Sequence, residues 1–144
     1  KNPTEIKNMK KSHMIDGVAL TKFLFWLKKN FRKKKITEIS AQKKLENFRK
    51  MDKRYKFPSF STISGTGPNS AIIHYKASVK SNRALKKGDL YLVDSGGQYS
   101  FGTTDVTRTI SLDNNSNFIR EIYTRVLKGH IAVSDYKIRK NSKY

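Results

Sequence analysis

Cysteine is absent from the 144 residues. That excludes disulfides, thiolate metal sites and a cysteine nucleophile, and it fits a reducing, cytoplasmic setting. No long hydrophobic run occurs either. The most apolar window, residues 18–27, is short and is interrupted by Lys22, whereas a bilayer span needs about 20 residues. No signal peptide, internal repeat or Ser/His/Asp arrangement with local motif support is visible. Acids are scarce, 11 against 31 Lys and Arg, so the net charge is +20. Such a charge invites a nucleic-acid reading. Against it, 23 of the 31 cations are lysines, their only triple is Lys33-Lys34-Lys35, and ten asparagines accompany them. Coding bias explains this as well as a binding surface does, because specific readers concentrate Arg and aromatic residues on one face. The expectation is weak, salt-sensitive binding to polyanions and no specific nucleic-acid partner.

The most informative segment has an apolar, β-prone arm and an arm rich in Thr and β-branched residues, each carrying an aspartate. Leu90-Tyr91-Leu92-Val93-Asp94-Ser95 leads through Gly96, Gly97 and Gly102 to Asp105-Val106-Thr107-Arg108-Thr109-Ile110. With Asp94 opposite Asp105 and residues 97–102 as the loop, both carboxylates project from one face. Directly opposed like charges destabilise a hairpin. Either a hard divalent cation compensates them, or they are ordinary hairpin acids. Arg108 is expected to pair with a carboxylate from the opposite face.

Asn2-Pro3-Thr4-Glu5 is a helix start with a cap, a first-turn proline and a capping-box acid. Ile6, Met9, His13, Gly17, Leu20, Leu24 and Leu27 follow at helical spacing, which places His13 on the packed seam as a structural residue. Thr37 caps a second helix whose stripe is Ala41, Leu45 and Phe48, with Lys43, Lys44, Arg49 and Lys50 facing water. Strands are expected near residues 61–64 and 71–75, the latter ending at His74. A tight turn is expected at Lys87-Gly88-Asp89. A last helix is expected after residues 113–117, burying Phe118, Ile122, Val126, His130 and Val133.

Several segments carry a resemblance. Asp94-Ser95-Gly96-Gly97-Gln98-Tyr99 with Gly102-Thr103-Thr104-Asp105-Val106-Thr107-Arg108-Thr109 closely resembles the Xaa-Pro aminopeptidases. Residues 63–75, ending in His74-Tyr75, and Val126-Leu127-Lys128-Gly129-His130-Ile131-Ala132 resemble further parts of that catalytic domain. The resemblance implies an α+β, partial pita-bread fold: a curved antiparallel sheet with covering helices. It also implies removal of the N-terminal residue preceding proline from peptides. Asp94 and Asp105 match two of the five ligands of a dinuclear site, for which Mn²⁺ is expected. His74 matches a histidine that assists the scissile peptide, although a His in that place can also be a satisfied polar residue.

The family completes its site with a His and two Glu for which no motif stands here. Residues 1–134 are therefore expected to form an incomplete catalytic domain, inactive or nearly so by itself. Residues 135–144 are expected to be a disordered basic tail, read from another frame. The alternatives are one piece of a split enzyme with a complementing C-terminal chain, a non-catalytic remnant, and a basic nucleic-acid binder. Expected partners are proline-containing peptides, and a second copy where the parent family is homodimeric. A membrane is not expected.

Overall fold

The computed structural model describes residues 1–137. The elements run α1 (Pro3–Asn30), α2 (Glu38–Lys50), β1 (Tyr55–Pro58), β2 (Ile63–Thr66), a 3₁₀ turn (Gly67–Ala71), β3 (Leu90–Ser95), β4 (Gly97–Tyr99), β5 (Gly102–Thr103), β6 (Val106–Ser111) and α3 (Asn117–Ser134). Two compact units result, Lys1–Asp113 and the segment from Asn114 onward. No helix among the described residues is long and apolar enough to cross a membrane. Most of the expected tail, from residue 138 on, lies outside the described residues.

Local chemistry starts both helices as expected. Asn2 caps α1, with its side chain accepting from the Glu5 N–H and Glu5 reaching back, and Pro3 follows the cap. Thr37 caps α2, and Ser40 completes that capping box. The helices cover the antiparallel sheet β2-β3-β6. Leu20, Phe23, Leu27, Ile36, Ala41, Leu45, Leu85, Tyr91, Val93 and Leu112 fill the space between. Each large member contributes about 1.5–3 kcal/mol by leaving water. A second antiparallel sheet has the order β1-β4-β5. Only Gly96 separates β3 from β4, so the antiparallel structure divides there.

The structure corrects five expectations. The buried face of α1 is Ser12, Asp16, Ala19, Leu20, Phe23 and Leu27, and His13 is exposed, its Nδ1 2.9 Å from the Met9 carbonyl. The buried polar residues, which hydropathy discounts, rotate the seam. Arg49 does not face water: it is 2% exposed, because it neutralises the buried Asp16. Residues 71–75 are not a strand. The Gly67–Ala71 turn is followed by His74 in the left-handed region, φ 54°. Among the described residues Arg108 pairs with no carboxylate: its Nη1 donates to the Thr107 carbonyl at its own strand. In the second unit, Ser116 caps α3 through the Ile119 N–H, but none of the α3 residues is buried, His130 included.

Candidate functional site

A single register runs the length of the acidic hairpin. Tyr99 pairs with Gly102, Gln98 with Thr103, Ser95 with Val106, Asp94 with Thr107 and Leu90 with Ser111. The chain therefore reverses at Ser100-Phe101 rather than over a loop of residues 97–102. Asp94 faces Thr107, not Asp105, and the position opposite Asp105 is Gly96. A shift of two residues preserves which side chains share a face. Asp105 thus keeps to the Asp94 face as its diagonal neighbour, at about 7–8 Å for such positions. The offset answers the repulsion problem: neither carboxylate is directly opposed by the other. Asp94 accepts a hydrogen bond from Thr107 Oγ1 at 2.8 Å and is half-buried, while Asp105 is exposed.

Gly96 makes the close approach possible. A Cβ built there would stand 1.9 Å from the Thr104 carbonyl oxygen and 2.2 Å from Ser59 Oγ. Ser59 Oγ donates to that same carbonyl at 2.8 Å, and the Gly97 N–H donates to Thr104 Oγ1 at 2.9 Å. These bonds draw residue 104, and with it Asp105, onto the Gly96-Gly97 bend.

His74 reaches the same region by a different route. It lines a cavity of about 230 Å³ together with Ile63, Ile72, Leu92, Asp94 and Thr107. The structure therefore brings His74 and Asp94 together, whereas Asp105 is not part of that lining. The left-handed His74 is held through its neighbour. Tyr75 OH donates to Glu38 Oε2 at 2.8 Å, and Asn69 Nδ2 donates to Tyr75 OH at 2.8 Å. Glu38 is fully buried, and its two oxygens accept from the Thr66 N–H, Asn69 Nδ2, Tyr75 OH and the Arg83 N–H.

A second buried carboxylate lies beneath the hairpin. Arg49 donates from Nε to Asp16 Oδ1 at 2.6 Å and from Nη2 to Asp16 Oδ2 at 3.0 Å. The same Nη2 donates to Ser95 Oγ at 3.0 Å, and Tyr99 OH donates to Asp16 Oδ1 at 2.7 Å. Burial, then the bond to Asp16, pushes the Tyr99 phenol well above its ordinary pKa. Sequence reasoning missed Asp16, Arg49 and Glu38 as site-supporting residues. A signal existed: Asp16 keeps step with Ser12, Leu20, Phe23 and Leu27, and Glu38 and Arg49 keep step with Ala41 and Leu45.

As a donor set, two carboxylates on one face suit a hard divalent ion. Among the described residues no group of three or more His, Asp or Glu is placed to hold one. The two acids therefore fit such an ion as part of its shell and leave most of that shell to other donors.

The model of metallopeptidase family M24 matches residues 7–143, a span that takes in most of the segment 135–144. The chain is 44% identical over 133 residues to the Xaa-Pro aminopeptidase ApepP of Drosophila melanogaster, covering 92% of this chain and 22% of that protein. It is 44% identical over 134 residues to human Xaa-Pro aminopeptidase 2, covering 93% and 20%. Among solved structures, the X-prolyl aminopeptidase of Caenorhabditis elegans superposes with a TM-score of 0.85 at 41% identity, over 91% of this chain and 22% of that one. That protein is described as a cytosolic enzyme with a di-nuclear active site. The chain spans about a fifth of the length of these relatives.

Proposed function

The chain belongs to metallopeptidase family M24, and from that premise we propose that it carries part of the catalytic centre of an Xaa-Pro aminopeptidase. Asp94 and Asp105 are its metal-ligating acids, two divalent ions are its cofactors, and Mn²⁺ is the favoured metal. When bound, such ions activate water and polarise the scissile carbonyl. The remaining work falls to this chain's own residues. Thr107 Oγ1 orients the Asp94 carboxylate. His74, at the rim of the cavity it shares with Asp94, donates a ring N–H to the peptide at the bond being cut. Ile63, Ile72 and Leu92 give that cavity apolar walls, which suit a peptide ending in an N-terminal residue followed by proline. A cytoplasmic location follows the neighbour described as cytosolic.

The observation that carries this reading is the hairpin register, which sets two acids on one face around Gly96 with His74 beside the first. The chain by itself is inactive or nearly so, because its described residues supply two acids where catalysis needs a fuller shell. Mn²⁺-dependent hydrolysis of an Xaa-Pro peptide by the 144-residue chain tests this reading, with Asp94→Asn as the contamination control. Silence in both proteins is expected. Activity that vanishes in the variant would overturn the claim of incompleteness.

A further inference from the structure

We propose that Asp16 and Arg49 are positioning residues that set the spacing of the Asp94 and Asp105 carboxylates by gripping the hairpin on both sides of Gly96-Gly97. The inference rests on the metal-ligand reading of those two acids. Arg49 holds Ser95, the residue after Asp94, and Asp16 holds the hydroxyl of Tyr99. Neither residue reaches the acidic face itself. Both act from beneath it, on α1 and α2, through the side chains that alternate inward when Asp94 alternates outward.

The geometry makes the grip specific. A strand that slips by one residue exchanges its two faces. Ser95 is fully buried with its hydroxyl on Arg49, so a slip of β3 would pull that hydroxyl from its donor and place Asp94 in the core. Tyr99, 2% exposed, makes the same demand on β4. Its ring packs edge-on against Tyr55 at 5.7 Å, which fixes the direction of its O–H toward Asp16. With residues 95 and 99 both held, the Gly97 N–H is placed for Thr104 Oγ1, and Asp105 follows Thr104. The buried pair thus governs one carboxylate through the preceding strand and the other through the returning strand. Residues standing behind metal ligands in this way commonly alter affinity without touching the ion.

Removing Arg49 or Asp16 alone would leave a buried charge unpaired and endanger the fold, so the test deletes the hydroxyls they hold. The full 144-residue chain and the Ser95→Ala/Tyr99→Phe variant are titrated with Mn²⁺, and paramagnetic broadening of the backbone amides is read by NMR. In the wild-type chain the amides of Asp94 and Asp105 are expected to broaden together at one Mn²⁺ concentration. In the variant that concentration is expected to rise about tenfold, the scale typical of residues behind metal ligands, with a cooperative thermal transition retained. Equal Mn²⁺ dependence in the folded variant would overturn the proposal. Should the double variant lose its fold, Tyr99→Phe alone keeps the ring on Tyr55, and its smaller rise or absence of rise decides the same way. Asp94→Asn separates the two levels. If Asp105 broadens there as it does in the wild-type chain, the metal-ligand reading itself fails, whatever the Ser95 and Tyr99 variants do.

Discussion

Asp16 and Glu38 meet the same difficulty in opposite ways. Both are carboxylates on helices, both are buried, and both tie a helix to the elements that present the site. Asp16 is neutralised by a guanidinium that is itself buried and that passes one further donor to Ser95. Glu38, among the described residues, meets no Lys or Arg in an ion pair. It is satisfied by neutral donors: two backbone N–H groups, the Asn69 amide and the Tyr75 hydroxyl. A charge-balanced pair depends on one partner and is brittle, since loss of that partner exposes the other charge to a low-dielectric interior. A carboxylate shared among several dipoles distributes the dependence, so removal of any one donor costs less. The acidic hairpin hangs on the brittle arrangement, and the His74 turn on the distributed one.

The largest break in that contrast comes from Arg49→Met, which strands Asp16 and should cost about 3–5 kcal/mol of unfolding free energy. The pair Asp16→Leu with Arg49→Met should recover most of that loss, because apolar groups replace both charges. Denaturant unfolding of the three proteins measures it, and no recovery would mean that the pair is not the source of the cost. Glu38→Gln comes next. Its amide turns a donor toward the Thr66 or Arg83 N–H, for a loss of about 1–3 kcal/mol. A loss exceeding that of Arg49→Met would reverse the ranking of brittle and distributed sites. Tyr75→Phe deletes one donor and should cost about 1 kcal/mol.

Alkaline titration sharpens the comparison further. Burial pushes the Tyr55 phenol up to about 12, and burial raises Tyr75, Tyr91 and Tyr99 above the ordinary value as well. Each folded pKa lies above its unfolded value. The stability these groups contribute is therefore complete below pH 10 and is lost as pH rises toward the folded pKa values. Tyrosinate absorbance of those four residues should emerge only with the loss of circular dichroism, and Tyr99→Phe should move that onset upward. The smallest effect belongs to Asp52. A hydrogen bond from the Arg54 guanidinium holds its carboxyl down at about 2, so what it contributes is present above pH 3.8 and fades as pH falls through about 2. The pair is exposed enough for water to screen it, and Asp52→Asn should leave the unfolding midpoint almost unchanged at neutral pH.

What was legible in the sequence were local signals. Asn2, Pro3 and Glu5 announced α1, Thr37 announced α2 and Ser116 lay within the expected cap region of α3, because capping is settled by a few neighbouring atoms. The faces of the hairpin were legible as well, since alternation survives an error of two residues. The register was not, because the reversal at Ser100-Phe101 depends on how Gly97 meets Tyr55 and Gly102 meets Ser12, contacts distant in sequence. Arg49 and Asp16 were opaque for a related reason. A charged residue at a helical stripe position looks solvated until its opposite appears 33 residues away across a helix pair. The His74 turn misled through its β-branched neighbours Ile72 and Ile73, whose strand preference yields to the fixed Tyr75–Glu38 bond.

The bare backbone at Gly96 has a consequence for how this protein tolerates change. Position 96 bears no functional group and would be silent in any inventory of chemistry. Yet a single methyl there would occupy the space of the Thr104 carbonyl and force the two arms apart. In a scan of fold stability over every substitution at every position, residue 96 should be among the unforgiving ones, and alanine, the mildest replacement elsewhere, should fare no better there than bulkier ones. The distance between the two acids is written in an atom that the chain leaves out.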